Sequence, residues 1–410
     1  MLQAYQEHRA QYQEDKASSH TEAARSLSRE VRKFVDKVVI PCEPRLAEGG
    51  DLAAQLQAEL TEKARRAGFW GLFYPLSHGG KIASLEDYLI VAEQEGRSEF
   101  SSAIFGSHSA LDAHMLLKFG GDDIRKNFLE PMVTGKAIPS YGMTEPDHGG
   151  SFPALITTCA HLSNGNWTIN GRKWFVGNAE RATFVTVLAR TGKEEIDMRQ
   201  TLSMILVPTN SPGFRIERQI PILGRFLGQG EMSFTDVHIP EHNRLGESGS
   251  GIELMSQRLR LGRLLRAMNW VGLAQRCFDL MGARINSRRG LSARLPHKQL
   301  VRQHIANAYQ AIAGARELIR IAARGIDIQC PSDVRINVAK MAASHALCIA
   351  SDSAVQLYGA EGISDLTPLS GIYRIARTSR ILDGTDESLI SSTGRRLIDF
   401  FKEENTYHFG

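Results

Sequence analysis

The stretch YGMTEPDHGGSFPAL (141–155) lies where the hydrophobic periodicity of the chain changes. Before it, apolar residues recur at helical spacing, as in 22–37. After it, runs such as ATFVTVLAR (182–190) and TLSMILVPT (201–209) are rich in β-branched residues, which is typical of strands. HLSNGNWTING (161–171) contains two Asn-Gly pairs that flank a short strand and predict turns. The stretch 141–155 therefore marks the boundary between a helical segment and a β segment.

Helical spacing returns after residue 245, beginning with an apolar stripe from Leu261 to Ile285. Long helices with short connections predict a bundle, and several short strands predict a small barrel or sandwich. The expected fold is mainly α with a central β domain. Its predicted parts are an N-terminal helical domain (1–140), a small β barrel or sandwich (141–245) and a C-terminal four-helix bundle (246–410).

The composition is that of an ordinary globular protein, with 42% hydrophobic and 23% charged residues. The net charge of +4 comes without a long Lys/Arg run, so we expect no nucleic-acid partner. A ligand with phosphates would suit this charge, and a solvated basic surface explains it equally well. Five widely spaced cysteines argue against a disulfide framework and a structural zinc site. With no apolar run of ~20 residues and no secretory signal after Met1, we expect a cytoplasmic protein without a membrane span or metal.

The stretch 141–155 resembles the first signature of the acyl-CoA dehydrogenase family, a Thr-Glu-Pro followed by a Gly/Ser-rich turn. Further segments resemble that family, in its order and at its spacings, from about residue 25 to 400. They are FGSHSALDAHMLLKFGGDDIRKNFLEPMVTGK (105–136), INGRKWFVGNAERATFV (169–185), FTDVHIPEHNRLGESGSGIELM (234–255), QLYGAEGISD (356–365) and RILDGTDES (380–388). The resemblance implies the family's three-part fold, with FAD held between the β domain and the C-terminal bundle.

Several β-domain residues are implied as cofactor contacts by this resemblance. Met143 and Thr144 face the flavin ring, Ser151 lies near the pyrophosphate, and Phe175 covers one face of the ring. The family usually has Trp and a small hydroxyl residue where this chain has Phe175 and Gly177, so a hydroxyl contact is lost. A turn that merely closes a loop is the alternative reading of the segment around Thr144.

The C-terminal segments resemble the family's contacts with the rest of FAD. Arg288 matches the Arg that binds the pyrophosphate of a neighbouring subunit, and Leu291 replaces a Phe beside it. An Arg suits a pyrophosphate because its guanidinium donates as a bidentate fork, whereas an Arg on a solvated helix end is the alternative. Gln356 and Gly359 match the adenosine contact, and Thr385 is a further implied cofactor contact. The resemblance therefore implies a homodimer or homotetramer.

The segment LDGT (382–385) stands where the family has Tyr-Glu-Gly-Thr with its catalytic Glu. By resemblance, Asp383 is the base that removes the substrate α-proton, and its backbone N–H polarises the thioester carbonyl. A helix N-cap is the alternative role for Asp383. Arg263 matches an Arg that contacts CoA, with a surface salt bridge as the alternative. Some branches place the catalytic Glu one residue earlier, where this chain has Gly262.

The function implied by the resemblance is FAD-dependent α,β-dehydrogenation of an acyl-CoA or acyl-carrier thioester, with hydride passing to flavin N5. This reaction belongs to fatty acid metabolism, with an electron-transfer flavoprotein as the expected electron acceptor. Two alternatives stay open. A nitroalkane-oxidase-like flavoenzyme would also use an Asp base but needs no CoA pocket. A catalytically degenerate FAD-binding partner subunit would explain the altered cofactor segments.

Overall fold

The computed structural model describes residues 21–150, 152–192 and 201–404. Two helices of this segment, those that begin at Glu22 and Leu85, have side-chain caps, because Thr21 accepts a hydrogen bond from the N–H of Ala24 and Ser84 accepts one from that of Asp87. The helices before the sheet are α1 (Glu22–Phe34), α2 (Glu43–Ala47), α3 (Gly50–Arg66), α4 (Leu85–Glu95), α5 (Ser101–Ile104), α6 (Ala110–Phe119), α7 (Asp122–Ile124) and α8 (Glu130–Val133).

The middle of the chain forms a sheet. Its strands are β1 (Pro139–Gly142), β2 (Cys159–Ser163), β3 (Asn166–Val176), β4 (Phe184–Arg190), β5 (Leu202–Pro208), β6 (Phe214–Gln219), β7 (Gly230–Pro240) and β8 (Arg244–Leu245). The strand order is β6-β7-β3-β2-β4-β5-β8, and β1 pairs in parallel with β4. Along β4, Phe184 and Leu188 pack into the helical core, whereas Val185 and Val187 pack into a second core within the β domain. Burial on both faces explains why this strand is a continuous apolar run.

The two Asn-Gly pairs predicted as turns have different structures. Asn164 and Gly165 have φ values of 50° and 73° and form the hairpin between β2 and β3. Asn170 and Gly171 lie inside β3, where its pairing with β7 shifts register. The turn prediction for the second pair is therefore wrong, because the strand continues through it as a bulge.

The C-terminal helices form a bundle. They are α9 (Gly251–Asn286), α10 (Arg288–Ser292), α11 (Gln299–Asp327), α12 (Asp333–Tyr358), α13 (Ala360–Ile363), α14 (Leu369–Ser379) and α15 (Asp386–Glu404). The helix α9 packs tightly against α4, because a Cβ added to Gly272 would come within 2.1 Å of the carbonyl oxygen of Glu93. Within the described residues, no helix is both long enough and apolar enough to span a membrane. The fold is thus mainly α with a central sheet domain, as predicted.

Candidate active site

Hydrogen bonds join the loop after β1 to the end of β3. Thr144 Oγ1 donates to the carbonyl oxygen of Trp174 (2.7 Å), and the N–H of Trp174 donates to the carbonyl oxygen of Thr144 (3.0 Å). Beside this contact, Ser140 Oγ donates to the carbonyl oxygen of Gly177 (2.5 Å). The segments around Thr144 and Gly177, both predicted to contact a flavin, are therefore adjacent. Ser151 lies outside the described residues.

Phe175 lies in a bulge where the pairing of β3 with β7 shifts between Lys173 and Val176. Its φ is 50°, and 46% of it is exposed. A bulky residue in this left-handed region costs on the order of 1–3 kcal/mol, and such strain often accompanies functional sites. The ring of Trp174 packs edge-on against Phe175, with centroids 4.8 Å apart. The bulge thus directs an aromatic ring out of the sheet at the strand end that Thr144 contacts.

A buried ion pair supports the loop from behind. Lys173 Nζ lies 2.8 Å from Glu145 Oε1 and donates to the carbonyl oxygen of Met143 (2.9 Å). Glu145 also accepts from the N–H groups of Thr157 and Thr158. Burial alone would raise the pKa of Glu145, but Lys173 and the threonines lower it to about 2. Glu145 therefore stays ionised and fully engaged, so it is poorly suited to accept a proton near neutral pH.

Asp383 lies in a left-handed turn between α14 and α15. The φ values are 57° at Asp383 and 103° at Gly384. The carbonyl oxygen of Asp383 accepts a hydrogen bond from Arg263 Nε of α9 (2.9 Å), and Arg263 Nη1 donates to Asn337 Oδ1 of α12 (3.1 Å). These contacts direct Arg263 to the turn and the bundle, and its assignment to CoA stays a prediction.

The cap of α15 is Thr385, because its hydroxyl accepts a hydrogen bond from the N–H of Ser388 (3.2 Å). Asp383 stands two residues before this cap, so the alternative of a helix N-cap does not describe it. In the described part of the chain, the N–H of Asp383 donates to no backbone or side-chain acceptor. Neither the carboxylate nor the N–H of Asp383 therefore takes part in capping the helix.

The carboxylate of Asp383 is paired with a second arginine of α9. Arg266 Nε lies 2.9 Å from Asp383 Oδ2, with the Arg266 side chain 54% exposed and the Asp383 side chain 23% exposed. The approach lacks hydrogen-bond geometry, so Oδ2 is a buried oxygen without a hydrogen bond. Asp383 is thus held by charge and remains able to accept a hydrogen bond or a proton.

Two further charged residues, which the sequence did not single out, reach the same turn. Lys340 on α12 is fully buried, and its Nζ donates to the carbonyl oxygen of Gly384 (2.8 Å) and to Asp386 Oδ1 (3.2 Å). Asp386 Oδ2 accepts from Arg380 Nε (2.8 Å) and lies 3.2 Å from His345 Nε2. Burial would raise the pKa of Asp386, but Arg380 and Lys340 lower it. The one sequence feature that could have pointed to Lys340 is its position among the small and apolar residues of α12.

The remaining predicted cofactor residues lie on α10 and at the end of α12, two segments that are linked through Glu361. They are Arg288, Leu291, Gln356 and Gly359. Glu361 joins these segments by pairing with Arg284 of α9 and with Arg289 of α10. Arg288 is exposed, and the described residues offer it neither an ion pair nor a hydrogen bond. This end of the bundle therefore presents a guanidinium that is available to an anion.

Comparisons with known proteins identify the family. Models of the N-terminal, middle and C-terminal domains of acyl-CoA dehydrogenases match residues 21–136, 140–237 and 249–398. The chain is 34% identical to the probable acyl-CoA dehydrogenase FadE2 of Mycobacterium tuberculosis, over 85% of this chain and 86% of that protein. The chain belongs to the acyl-CoA dehydrogenase family.

Other members of the acyl-CoA dehydrogenase family agree with this assignment. The chain is 31% identical to acyl-CoA dehydrogenase family member 11 of Mus musculus, covering 89% of this chain and 49% of that protein. It thus spans about half the length of this relative. The crystal structure of a probable acyl-CoA dehydrogenase from Mycobacterium abscessus is 27% identical, with a TM-score of 0.83 and coverage of 92% of this chain and 99% of that one. The fold of the acyl-CoA dehydrogenase family binds FAD.

Proposed function

We propose that this protein catalyses the FAD-dependent α,β-dehydrogenation of an acyl-CoA thioester, with Asp383 as the base that removes the α-proton. The geometry of the turn at Asp383 carries the proposal. Arg263 holds its carbonyl oxygen and Thr385 caps the following helix, so the carboxylate serves neither purpose. A general base must reach the proton that it removes. The Oδ2 of Asp383 makes no hydrogen bond, and its neighbour Arg266, 2.9 Å away, has a half-exposed side chain that can move aside.

The same residue supplies the second group that the reaction needs. An α-proton becomes removable when the thioester carbonyl is polarised by a fixed hydrogen-bond donor. The N–H of Asp383 donates to no acceptor in the described ranges 21–150, 152–192 and 201–404. In this proposal it donates to the thioester oxygen while the carboxylate takes the α-proton. Arg263 fixes the orientation of the N–H and the carboxylate of Asp383 relative to each other, because its hydrogen bond to the carbonyl oxygen of Asp383 prevents the turn from rotating.

The β-domain residues fit a flavin. Phe175 offers an exposed aromatic face, and Thr144 and Gly177 lie beside it in a loop fixed by the buried Lys173–Glu145 pair. Bound FAD would supply the acceptor for the hydride that leaves the substrate β-carbon. With FAD bound, Phe175 would exclude water from the face of the flat ring that it covers.

The exposed Arg288 fits the pyrophosphate of FAD by charge and by its bidentate geometry. By resemblance to the family, Arg288 matches an arginine that binds the pyrophosphate of a neighbouring subunit. We therefore propose that Arg288, Leu291, Gln356 and Gly359 contact FAD of a neighbouring subunit in a homodimer or homotetramer. Family membership further supports an electron-transfer flavoprotein as the electron acceptor.

The test is anaerobic bleaching of the flavin absorbance by a panel of substrates. We expect bleaching by at least one of a set of short, long and branched acyl-CoA thioesters, offered also on an acyl carrier protein. Nitroethane serves as the competitor, because nitroalkane oxidation needs no thioester. Bleaching by nitroethane alone would replace the proposal with the nitroalkane reaction. A protein that binds FAD but is bleached by none of these substrates would support the degenerate FAD-binding partner subunit.

A further inference from the structure

The turn that carries Asp383 is held at two successive carbonyl groups by two cations from different helices. Arg263 of α9 donates to the carbonyl oxygen of Asp383 (2.9 Å), and Lys340 of α12 donates to that of Gly384 (2.8 Å). Both residues of the turn have positive φ, which is unfavourable for Asp383. Such a conformation persists only where the surroundings over-determine it. Charge-assisted hydrogen bonds, which are roughly twice as strong as neutral ones, provide that restraint.

Lys340 is itself fixed by Asp386, the first residue of α15. The two side chains are 0% and 2% exposed, and their charged atoms lie 3.2 Å apart. Asp386 is held in turn by Arg380, the residue that follows α14, and by Ser344 Oγ of α12. The N–H of Asp386 donates to the carbonyl oxygen of Arg380 (3.0 Å), which closes the segment into a loop. The buried ammonium of Lys340 thus reaches the turn already paired with Asp386, and this pairing offsets the free-energy cost of removing the ammonium from water.

We propose that Lys340 and Asp386 form a positioning pair that fixes the Asp383–Gly384 turn, so that the Asp383 carboxylate reaches the substrate α-carbon. The inference rests on the proposed function of Asp383. Aspartate is one methylene shorter than the glutamate usual at this position, so its reach depends more on where the backbone is held. A displacement of about 1 Å at a reacting group can lower a rate on the order of 10²-fold. Neither Lys340 nor Asp386 touches the substrate in this proposal, and both act through the backbone of the turn.

The test is stopped-flow bleaching of the flavin in Lys340→Met, which keeps the length of the side chain and removes the ammonium. We expect the limiting bleaching rate at saturating acyl-CoA to fall roughly 10- to 100-fold. The dissociation constant for acyl-CoA and the FAD content should stay within about twofold of the wild type, because the pair contacts neither ligand. The rate with α-deuterated substrate should fall further in Lys340→Met than in the wild type, because proton removal becomes the slower step. A merely structural role would not change this isotope effect.

The matched control is Arg276→Met, which breaks a different ion pair, away from the turn. In that pair Arg276 of α9 makes a bidentate contact with Glu43 (2.7 and 2.8 Å). We expect a lower melting temperature in this control with an unchanged bleaching rate. Asp386→Asn leaves the shape of the loop intact and should slow bleaching as Lys340→Met does. If Lys340→Met does not fold, Asp386→Asn alone tests the positioning pair. Wild-type rates and isotope effects in both variants would overturn the positioning pair alone. A wild-type protein that no thioester bleaches would overturn the proposed function as well.

Discussion

Arg266 Nε lies 2.9 Å from the Oδ2 of Asp383, so the proposed base has a cationic neighbour on the helix that faces it. The Arg266 side chain is about half exposed, and an ion pair with such exposure contributes roughly 0–1 kcal/mol. The pairing therefore restrains the carboxylate only weakly. A substrate that enters the site can displace Arg266 toward solvent at small cost.

Arg266→Gln should change the limiting bleaching rate by less than about fivefold, because it removes only this weak pair. Stopped-flow measurements at low and high salt check this point. Salt screens the exposed Arg266–Asp383 pair in the wild type, whereas the variant lacks that pair, so any effect of salt on it should be confined to the wild type. A loss of 100-fold or more would make Arg266 part of the reaction machinery.

Asp383→Asn should abolish flavin reduction by acyl-CoA while FAD content and ligand binding persist. Asn keeps the backbone N–H and the shape of the side chain but cannot accept the α-proton. Loss of a general base typically lowers a rate about 10²–10⁴-fold. Near-normal bleaching in single-turnover experiments would mean that the base lies elsewhere. His148 would then be tested next, since Glu145 is held in its ion pair.

Asp383→Glu is the companion change. The turn is fixed at both carbonyls, so a longer carboxylate cannot be accommodated by backbone movement. We expect Glu to crowd the flavin and to bleach it more slowly than Asp does. A rate equal to or above that of the wild type would mean that the site has room for the extra methylene.

Arg263→Gln should lower the limiting bleaching rate more than the affinity for acyl-CoA. The reason is that its observed hydrogen bonds go to the carbonyl oxygen of Asp383 and to Asn337. Steady-state kinetics on Arg263→Gln and Arg263→Glu separate the two effects. A raised KM at an unchanged kcat would instead support the contact with CoA that the sequence resemblance implies.

Arg288→Ala should weaken FAD retention without lowering the stability of the folded chain, because the side chain is exposed and unpaired within the described residues. Gel filtration followed by the ratio of flavin to protein absorbance measures retention. Arg395→Ala removes an exposed arginine of α15 and is the control that should keep its flavin. Equal retention in the two variants would count against a pyrophosphate contact at Arg288.

Glu95→Gln should stabilise the protein at alkaline pH and leave it unchanged near pH 4. Burial raises the pKa of Glu95 from 4.5 to about 7, against the smaller opposing effects of the Ser107 hydroxyl and of the Tyr88 hydroxyl, which lies 3.2 Å away. Between pH 4.5 and about 7, Glu95 therefore holds a proton in the folded protein that it has lost in the unfolded chain. Wild-type stability therefore falls as the pH rises through this window, by at most roughly 3 kcal/mol.

Thermal unfolding of both proteins from pH 4 to 8 measures this difference. The melting temperature of Glu95→Gln should exceed that of the wild type increasingly as the pH rises. The exposed Glu48→Gln is the control, in which no such trend is expected. A difference that does not vary with pH would mean that folding does not raise the pKa of Glu95.

The sequence predicted the fold class well because hydrophobic periodicity changes at the borders of the sheet. It predicted a turn at Asn170 and Gly171 wrongly, since the same dipeptide serves a hairpin or a bulge and only strand pairing decides. The roles of Lys340 and Asp386 could not be predicted. A lysine within an apolar helix and an aspartate at a helix start are ordinary features until tertiary contacts bring them together.

The anchored turn also bears on which parts of the protein can move. Segments that carry reacting groups are often drawn from the least stable part of a structure and open locally. Opening the turn at Asp383 would instead release two charge-assisted hydrogen bonds and leave the buried ammonium of Lys340 with Asp386 but without the carbonyl oxygen of Gly384. Opening of this segment therefore costs more than opening of a turn without such bonds, and the N–H of Asp386, which donates to the carbonyl oxygen of Arg380, should exchange slowly with solvent hydrogen.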